Sequence, residues 1–148
     1  MYQRILVPLD GSPLAEQVLP YVISLARSLG SRVELLRLIA PLPAIGLTDP
    51  AREVYRQRIF AELREEAEGY LSQLAGRLRQ SGLAVSTNVI HNVDPATGII
   101  NAGEQDPDTL IAMSSHGRSG LGRWVLGSVT DRVVRHSGEP VLVIRARE

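Results

Sequence analysis

Five short apolar runs, four of them followed by turn residues and a helical pattern, constrain this fold more than any other feature of the sequence. The first, Arg4 to Leu9, is nearly unbroken in apolar character, as expected of a strand covered on both faces in a parallel sheet. It ends at Asp10-Gly-Ser-Pro13, where Ser12 can cap a helix and Pro13 suits its first position. Ala15, Val18, Leu19, Val22, Leu25, Ala26 and Leu29 mark one face of that helix, and Gly30 supplies the stop. Pro20 inside the pattern predicts a bend. Arg32 to Ile39 reads as the second strand, followed by a Pro-containing connection over Ala40 to Asp49. A long helical pattern then runs from Pro50 to Gln80, with Phe60, Leu63, Ala67, Tyr70, Leu74 and Leu78 on one side and Gly82 as terminator. Gly69 and Gly76 each weaken that helix by about 1 kcal/mol relative to Ala, which predicts an irregularity. Leu83 to Ile90, Asp108 to Met113 and Val141 to Arg145 are the remaining strands, and Asp94-Pro95 opens a short helix interrupted by Gly98 and Gly103. Alternation of this kind predicts right-handed crossovers, hence an α/β fold with an open parallel sheet and helices on both faces.

The remaining composition narrows the function classes. At 148 residues the chain fits one domain, 1–148, without repeats or low-complexity tracts. Sixteen basic residues balance sixteen acidic ones, so no overall field recruits nucleic acid or an anionic membrane. Cys is absent, which removes thiol nucleophiles and Cys-based metal sites. Every basic residue is Arg, so phosphates must be met by guanidinium groups and backbone amides, not by a P-loop lysine. The N-terminus shows no targeting pattern, and no apolar stretch approaches the roughly 20 residues that span a bilayer. The expected location is the cytoplasm.

The chemistry concentrates in the last third. Thr109-Leu-Ile-Ala-Met-Ser-Ser-His-Gly117 carries a strand into a small-residue turn, and nine residues later Gly127-Ser-Val-Thr-Asp131 opens a helix. Ser128 with Asp131 has the spacing of a capping box, and Gly138 with Pro140 closes the far end. A strand tip and a helix N-terminus sharing small residues present outward backbone N–H groups to an anion, most often a phosphate. In an open parallel sheet ligands bind beyond the carboxyl ends of the strands, where strand order reverses. Pro8-Leu9-Asp10, Leu38-Ile39-Ala40 and Met113-Ser114-Ser115-His116-Gly117 occupy such ends. Asp10 can accept from ribose hydroxyls or hold a metal through water, and the peptide groups around Leu38 can flank a base. Gly117-Arg-Ser-Gly-Leu-Gly-Arg123-Trp124 is not a Walker A loop, having Arg for Lys and Trp for the metal-binding hydroxyl. A dinucleotide glycine fingerprint and a Gly-x-Ser-x-Gly elbow are absent, and His91, His116 and His136 are too dispersed for a compact metal motif.

Ser114-Ser-His-Gly117, the nine residues Arg118 to Leu126, and Gly127-Ser128 match the Gly-x-x-Gly, nine residues, Gly-Ser/Thr spacing of the ATP-binding branch of the universal stress protein family, with Ser114 in place of the first glycine. The opening Arg4-Ile-Leu-Val-Pro-Leu-Asp-Gly-Ser12 and the closing Glu139-Pro-Val-Leu-Val-Ile-Arg145 are also typical, so the chain resembles that family over nearly its whole length. The resemblance implies a Rossmann-like five-stranded sheet in the order 3-2-1-4-5, ATP as ligand with Mg²⁺ as a companion, and a homodimer paired through Val141 to Arg145. It implies that Pro8, Leu9 and Asp10 meet the adenosine part, Leu38 the adenine, and Met113 and Ser114 the sugar and phosphates. His116, Gly117, Gly127, Ser128, Val129 and Thr130 are then the phosphate neighbours. The Ser114 side chain either crowds the phosphates or donates to them.

Plainer readings stand beside these. Asp10 can serve only as a helix cap, the glycines only as tight turns, and Ser128 only as a cap. His116 has no identifiable partner acid, so no catalytic residue is assigned and any hydrolysis should be slow. The leading expectation is an ATP-binding regulatory switch in stress physiology, acting on a protein partner the sequence does not identify. The alternatives are a nucleotide-independent interaction module of the same fold, and a slow Mg²⁺-dependent ATPase or phosphotransfer enzyme using Asp10.

Overall fold

The computed structural model describes residues 1–42, 50–115 and 127–147. Five strands, β1 (Arg4–Leu9), β2 (Arg32–Ile39), β3 (Val85–His91), β4 (Thr109–Ser115) and β5 (Val141–Arg145), form one all-parallel sheet in the order β3-β2-β1-β4-β5. Every residue of β1 is buried, as its unbroken apolar run requires of the strand at the centre of a sheet covered on both faces. Helices α1 (Pro13–Glu16), α2 (Leu19–Leu29) and α3 (Pro50–Gln80) share one core with Ile5, Val7 and Leu9 of β1. Helices α4 (Pro95–Glu104) and α5 (Ser128–His136) pack on the other face against Leu6, Leu36, Ile111 and Met113. The strand order and the division of helices agree with the α/β architecture read from the sequence.

Four local expectations are corrected. Pro20 does not bend a continuous helix: the chain leaves helix after Glu16 and restarts at Leu19 with Pro20 in the first turn, where its missing N–H costs nothing. Helix α3 runs from Pro50 to Gln80 without a break at Gly69 or Gly76. Burial of Leu71, Leu74 and Leu78 on β2 and β3 outweighs the weak propensity of two glycines. Helix α4 is likewise continuous through Gly98 and Gly103. Both are contact glycines: a Cβ on Gly98 would lie 2.6 Å from Leu38 Cδ2, and one on Gly103 would lie 3.0 Å from Ile111 Cδ1. They let the helix settle onto the sheet. Finally, β4 continues through Ser115, two residues past the expected end, because β5 supplies partners for Ser114 and Ser115.

One ladder sets the position of the site. β1 pairs with β2 along its whole length, but with β4 only from Arg4–Leu6 against Thr109–Ile111. Beyond Leu6 the two central strands part. This is where strand order reverses, and the carboxyl ends of β1 and β4 become the two lips of a crevice.

The other end of the sheet is tied by a buried cation. Arg4, 4% exposed, donates from Nη1 to Glu34 Oε2 at 2.9 Å and from Nε to Thr109 Oγ1 at 3.0 Å. Its Nη2 donates to the Ala102 and Gly103 carbonyls at 2.6 and 3.2 Å. The last turn of α4 has no intrahelical donors for those carbonyls, so one guanidinium closes the helix and joins it to β1, β2 and β4.

Candidate functional site

The crevice encloses about 280 Å³, near the lower end of the range for small-molecule sites, about 300 Å³ upward. Pro8, Leu9 and Asp10 form one lip, Met113 and Ser114 the other, and Leu38 reaches in from β2. Gly127, Ser128, Val129 and Thr130 close the side nearest α5. These ten residues, drawn from four separated stretches of sequence, therefore line one cavity. His116 and Gly117 lie outside the described residues, as do Arg118, Arg123 and Trp124. His91 and His136 are exposed and do not line the crevice; the His91 ring rests 5.4 Å from that of Phe60.

One wall of the crevice had no signal in the sequence. Ala15 of α1 and Pro95 and Ile99 of α4 also line it. Pro95 and Ile99 are four apart, which places them on one helix face, but no motif surrounds them. They add apolar lining to the cavity.

The helix starts around the crevice differ in one respect. At α1, Ser12 Oγ accepts from Ala15 N at 3.2 Å; at α4, Asp94 Oδ2 accepts from Thr97 N at 3.1 Å. Both are conventional side-chain caps. Helix α5 is not capped as predicted. Its N-cap is Gly127, with an extended backbone (φ −59°, ψ 153°) and no side-chain bond, and Ser128 is already helical. Gly127 O accepts from Asp131 N at 2.8 Å, while the Asp131 carboxylate turns forward to Arg135 Nε at 2.9 and 3.0 Å. The i, i+4 pairing with Arg135 wins over the capping box because an ion pair along the helix face needs no distortion of the first turn. The first-turn N–H groups of Ser128, Val129 and Thr130 thus have no carbonyl partner within the helix. They point to the crevice side with the positive end of the helix dipole.

Two hydroxyls expected to face a ligand are engaged with backbone. Ser114 Oγ donates to Ala15 O at 3.2 Å, and Thr130 Oγ1 donates to Ser114 O at 3.4 Å. The Ser114 side chain is thereby drawn against α1, and the β4 tip is tied to both α1 and α5. Asp10 Oδ1 accepts from Ser12 N at 2.8 Å, a turn that fixes the carboxylate at the lip.

At the far rim, Arg132 Nη1 donates to Asp94 Oδ2 at 2.8 Å, joining α5 to the start of α4. The Thr97 backbone N–H, then its hydroxyl, and then Arg132 hold the Asp94 carboxyl below the ordinary carboxylate range. A lowered folded value means this link is intact at neutral pH and is lost as pH falls through that lowered value. On the α3 side of the sheet, burial raises the Tyr70 hydroxyl above its usual range, reinforced by its hydrogen bond to Glu16 Oε2 at 3.0 Å. No group of three or more metal-ligating side chains occurs among the described residues. Nor is any helix among them long and apolar enough to cross a membrane.

Comparison with known proteins gives this arrangement a context. A family profile described as "Universal stress protein family" matches residues 1–145. Universal stress protein MJ0531 of Methanocaldococcus jannaschii is 30% identical over 145 residues, spanning 98% of this chain and 83% of that protein. The solved structure of MJ0577, a universal stress protein of the same organism, superposes with a TM-score of 0.82 at 29% identity, covering 100% of this chain and 99% of that one. A universal stress protein from Archaeoglobus fulgidus, solved in complex with dAMP, has a TM-score of 0.64 at 23% identity, with 97% and 98% covered. That last likeness is one of fold. A profile matched almost end to end and a shared sheet make the assignment plain: this chain belongs to the universal stress protein family.

Proposed function

We propose that the chain binds an adenine nucleotide, ATP foremost, in the crevice between β1 and β4 and acts as a nucleotide-dependent regulatory switch in stress physiology. The observation that carries this reading is the uncapped start of α5, the one of the three described helix starts around the crevice whose N-cap contributes no side chain. Phosphates are the natural occupants of such a first turn. The apolar lining made by Leu38, Pro95 and Ile99 suits a base, and Asp10 at the β1 lip suits the ribose hydroxyls. The dAMP complex of a relative with the same fold supports an adenine nucleotide. Ser114 is compatible with this, since its hydroxyl is held by Ala15 O rather than thrust into the cavity.

Among the described residues, Asp10 is the only carboxylate at the crevice lining, so Mg²⁺ would arrive with ATP, held largely by phosphate oxygens and water. Asp10 would reach it through one such water. With no base placed to orient an attacking water among those residues, hydrolysis would be slow. The protein would act in the cytoplasm as a homodimer through β5, whose first four residues are only half-buried. An open apolar strand edge gains by pairing. Its effect on an unidentified protein partner would follow nucleotide occupancy.

Titration calorimetry of ligand-stripped protein with Mg-ATP, and with Mg-GTP as control, tests the reading. Saturable binding that prefers ATP is expected; no heat and no thermal shift at millimolar ATP would refute it. Gly98→Ala probes the base side. Its methyl would meet Leu38 Cδ2 at 2.6 Å and Val93 Cγ1 at 3.0 Å, and Leu38, which lines the cavity, would have to shift. ATP affinity should fall about fivefold with little change in melting temperature, because the helix gains up to about 1 kcal/mol of propensity. An unchanged affinity would remove Leu38 from the base contact.

A further inference from the structure

Behind the Asp10 turn, on the α3 side of the sheet, lies a cation that the nucleotide reading does not use. Arg37 is the register partner of Leu9 at the end of β2. Its guanidinium lies under Gly11: a Cβ built there would be 3.4 Å from Nη2, 3.6 Å from Cζ and 4.0 Å from Nε. Gly11 itself has φ +89°, a left-handed conformation that favours glycine. The same guanidinium sits over the Tyr70 ring, with Cζ 6.0 Å from its centroid. Its Nε is buried without a hydrogen-bond partner. A strand residue at this position would bury an apolar side chain at lower desolvation cost.

Tyr70 links the cluster to α1 by donating to Glu16 Oε2 at 3.0 Å, and Arg77 Nη1 stands 3.9 Å from Glu16 Oε1. Among the described residues, the charged and titratable groups behind the 10–12 turn include Arg37 from β2, Tyr70 and Arg77 from α3, and Glu16 from α1. Asp10 and Arg37 act on the Tyr70 hydroxyl with opposite sign, Asp10 raising its pKa and Arg37 lowering it, so both charges share one neighbourhood. Glu16 is already matched by Tyr70 and Arg77. The positive charge of Arg37 faces the turn that carries Asp10.

We propose that Arg37 is a positioning residue for nucleotide binding: packed between the Tyr70 ring and the Gly11 backbone, it holds the 10–12 turn and so places Asp10 for the ligand. This rests on the crevice being a nucleotide site. Arg37 touches no ligand and acts only through Asp10.

The test is a double-mutant cycle of Arg37→Gln with Asp10→Asn, reading Mg-ATP affinity. Arg37→Gln should weaken binding about tenfold. In the Asp10→Asn background the same substitution should change affinity by less than about twofold. Arg37→Lys retains the charge but not the planar stack. It should recover part of the binding, losing only about threefold in affinity, again only when Asp10 is present. Should Arg37→Gln fail to fold, the cycle of Arg37→Lys with Asp10→Asn decides the question in its place. Equal losses in both backgrounds, with Arg37→Lys no better than Arg37→Gln, would make Arg37 a packing residue and overturn the proposal. Wild-type protein that binds no ATP would overturn the nucleotide reading itself, a different result from binding that ignores Arg37.

Discussion

Arg4→Met should lower folding stability by about 3–5 kcal/mol, the usual consequence of removing one member of a buried ion pair. For a chain of this length that corresponds to a fall of roughly 10–15 °C in melting temperature. Methionine approximates the volume of the Arg stem, so the loss measures the polar contacts. Four acceptors lose their donor together: Glu34, Thr109 and the Ala102 and Gly103 carbonyls. The Glu34 side chain is only 17% exposed, which leaves a carboxylate partly desolvated beside the centre of the sheet. Adding Glu34→Gln to Arg4→Met should recover part of the loss, because it removes the stranded charge. Urea denaturation of the two variants reads both numbers. A loss below about 1 kcal/mol for Arg4→Met would place this bond set among ordinary surface pairs.

Gly127→Asp should abolish ATP binding, by more than about 100-fold or about 3 kcal/mol, without lowering the melting temperature. The Gly127 backbone, at φ −59° and ψ 153°, is open to any residue, so no strain is introduced. Aspartate is a strong N-cap: its carboxylate would accept from the first-turn N–H groups and bring a negative charge to the helix start. Those are the donors and the field that a phosphate requires. Helix α5 should gain stability while the site loses its anion. Gly127→Leu separates bulk from charge, with a comparable binding loss and a cost of about 1 kcal/mol from the poorer cap. Undiminished ATP affinity in Gly127→Asp would end the assignment of phosphate to α5.

The two variants also show where the sequence was readable. Strand positions were legible because a parallel sheet buried on both faces imposes unbroken apolar runs such as Arg4–Leu9, and its crossovers impose the helix starts between them. The crevice lining was legible for the same reason: topology fixes which strand ends meet. Arg4 carried no such signal. A charged residue heading an apolar run looks like the solvated end of a strand, and its partners come from positions 34, 102, 103 and 109. Pro95 and Ile99 were hidden because a helix face entering a cavity has the same periodicity as one entering a core. The start of α5 was misread because Ser128 and Asp131 satisfy a local rule that a competing local pair, Asp131 with Arg135, overrides. Gly98 looked like an interruption because a helix tolerates glycine poorly in isolation, whereas here it seats the helix against Leu38.

The short β1–β4 ladder has a consequence for how the chain assembles. Arg4 and Thr109 are 105 residues apart, so the two middle strands of the sheet are among its most distant partners in sequence. As the chain leaves the ribosome, β1, β2 and β3 with α2 and α3 can close early. One flank of β1 then stays bare until β4 has been made. Contacts of such long range are slow to form. During that interval the fully buried central strand of the protein offers an unpaired edge, the condition under which chaperones or misassembly compete with folding.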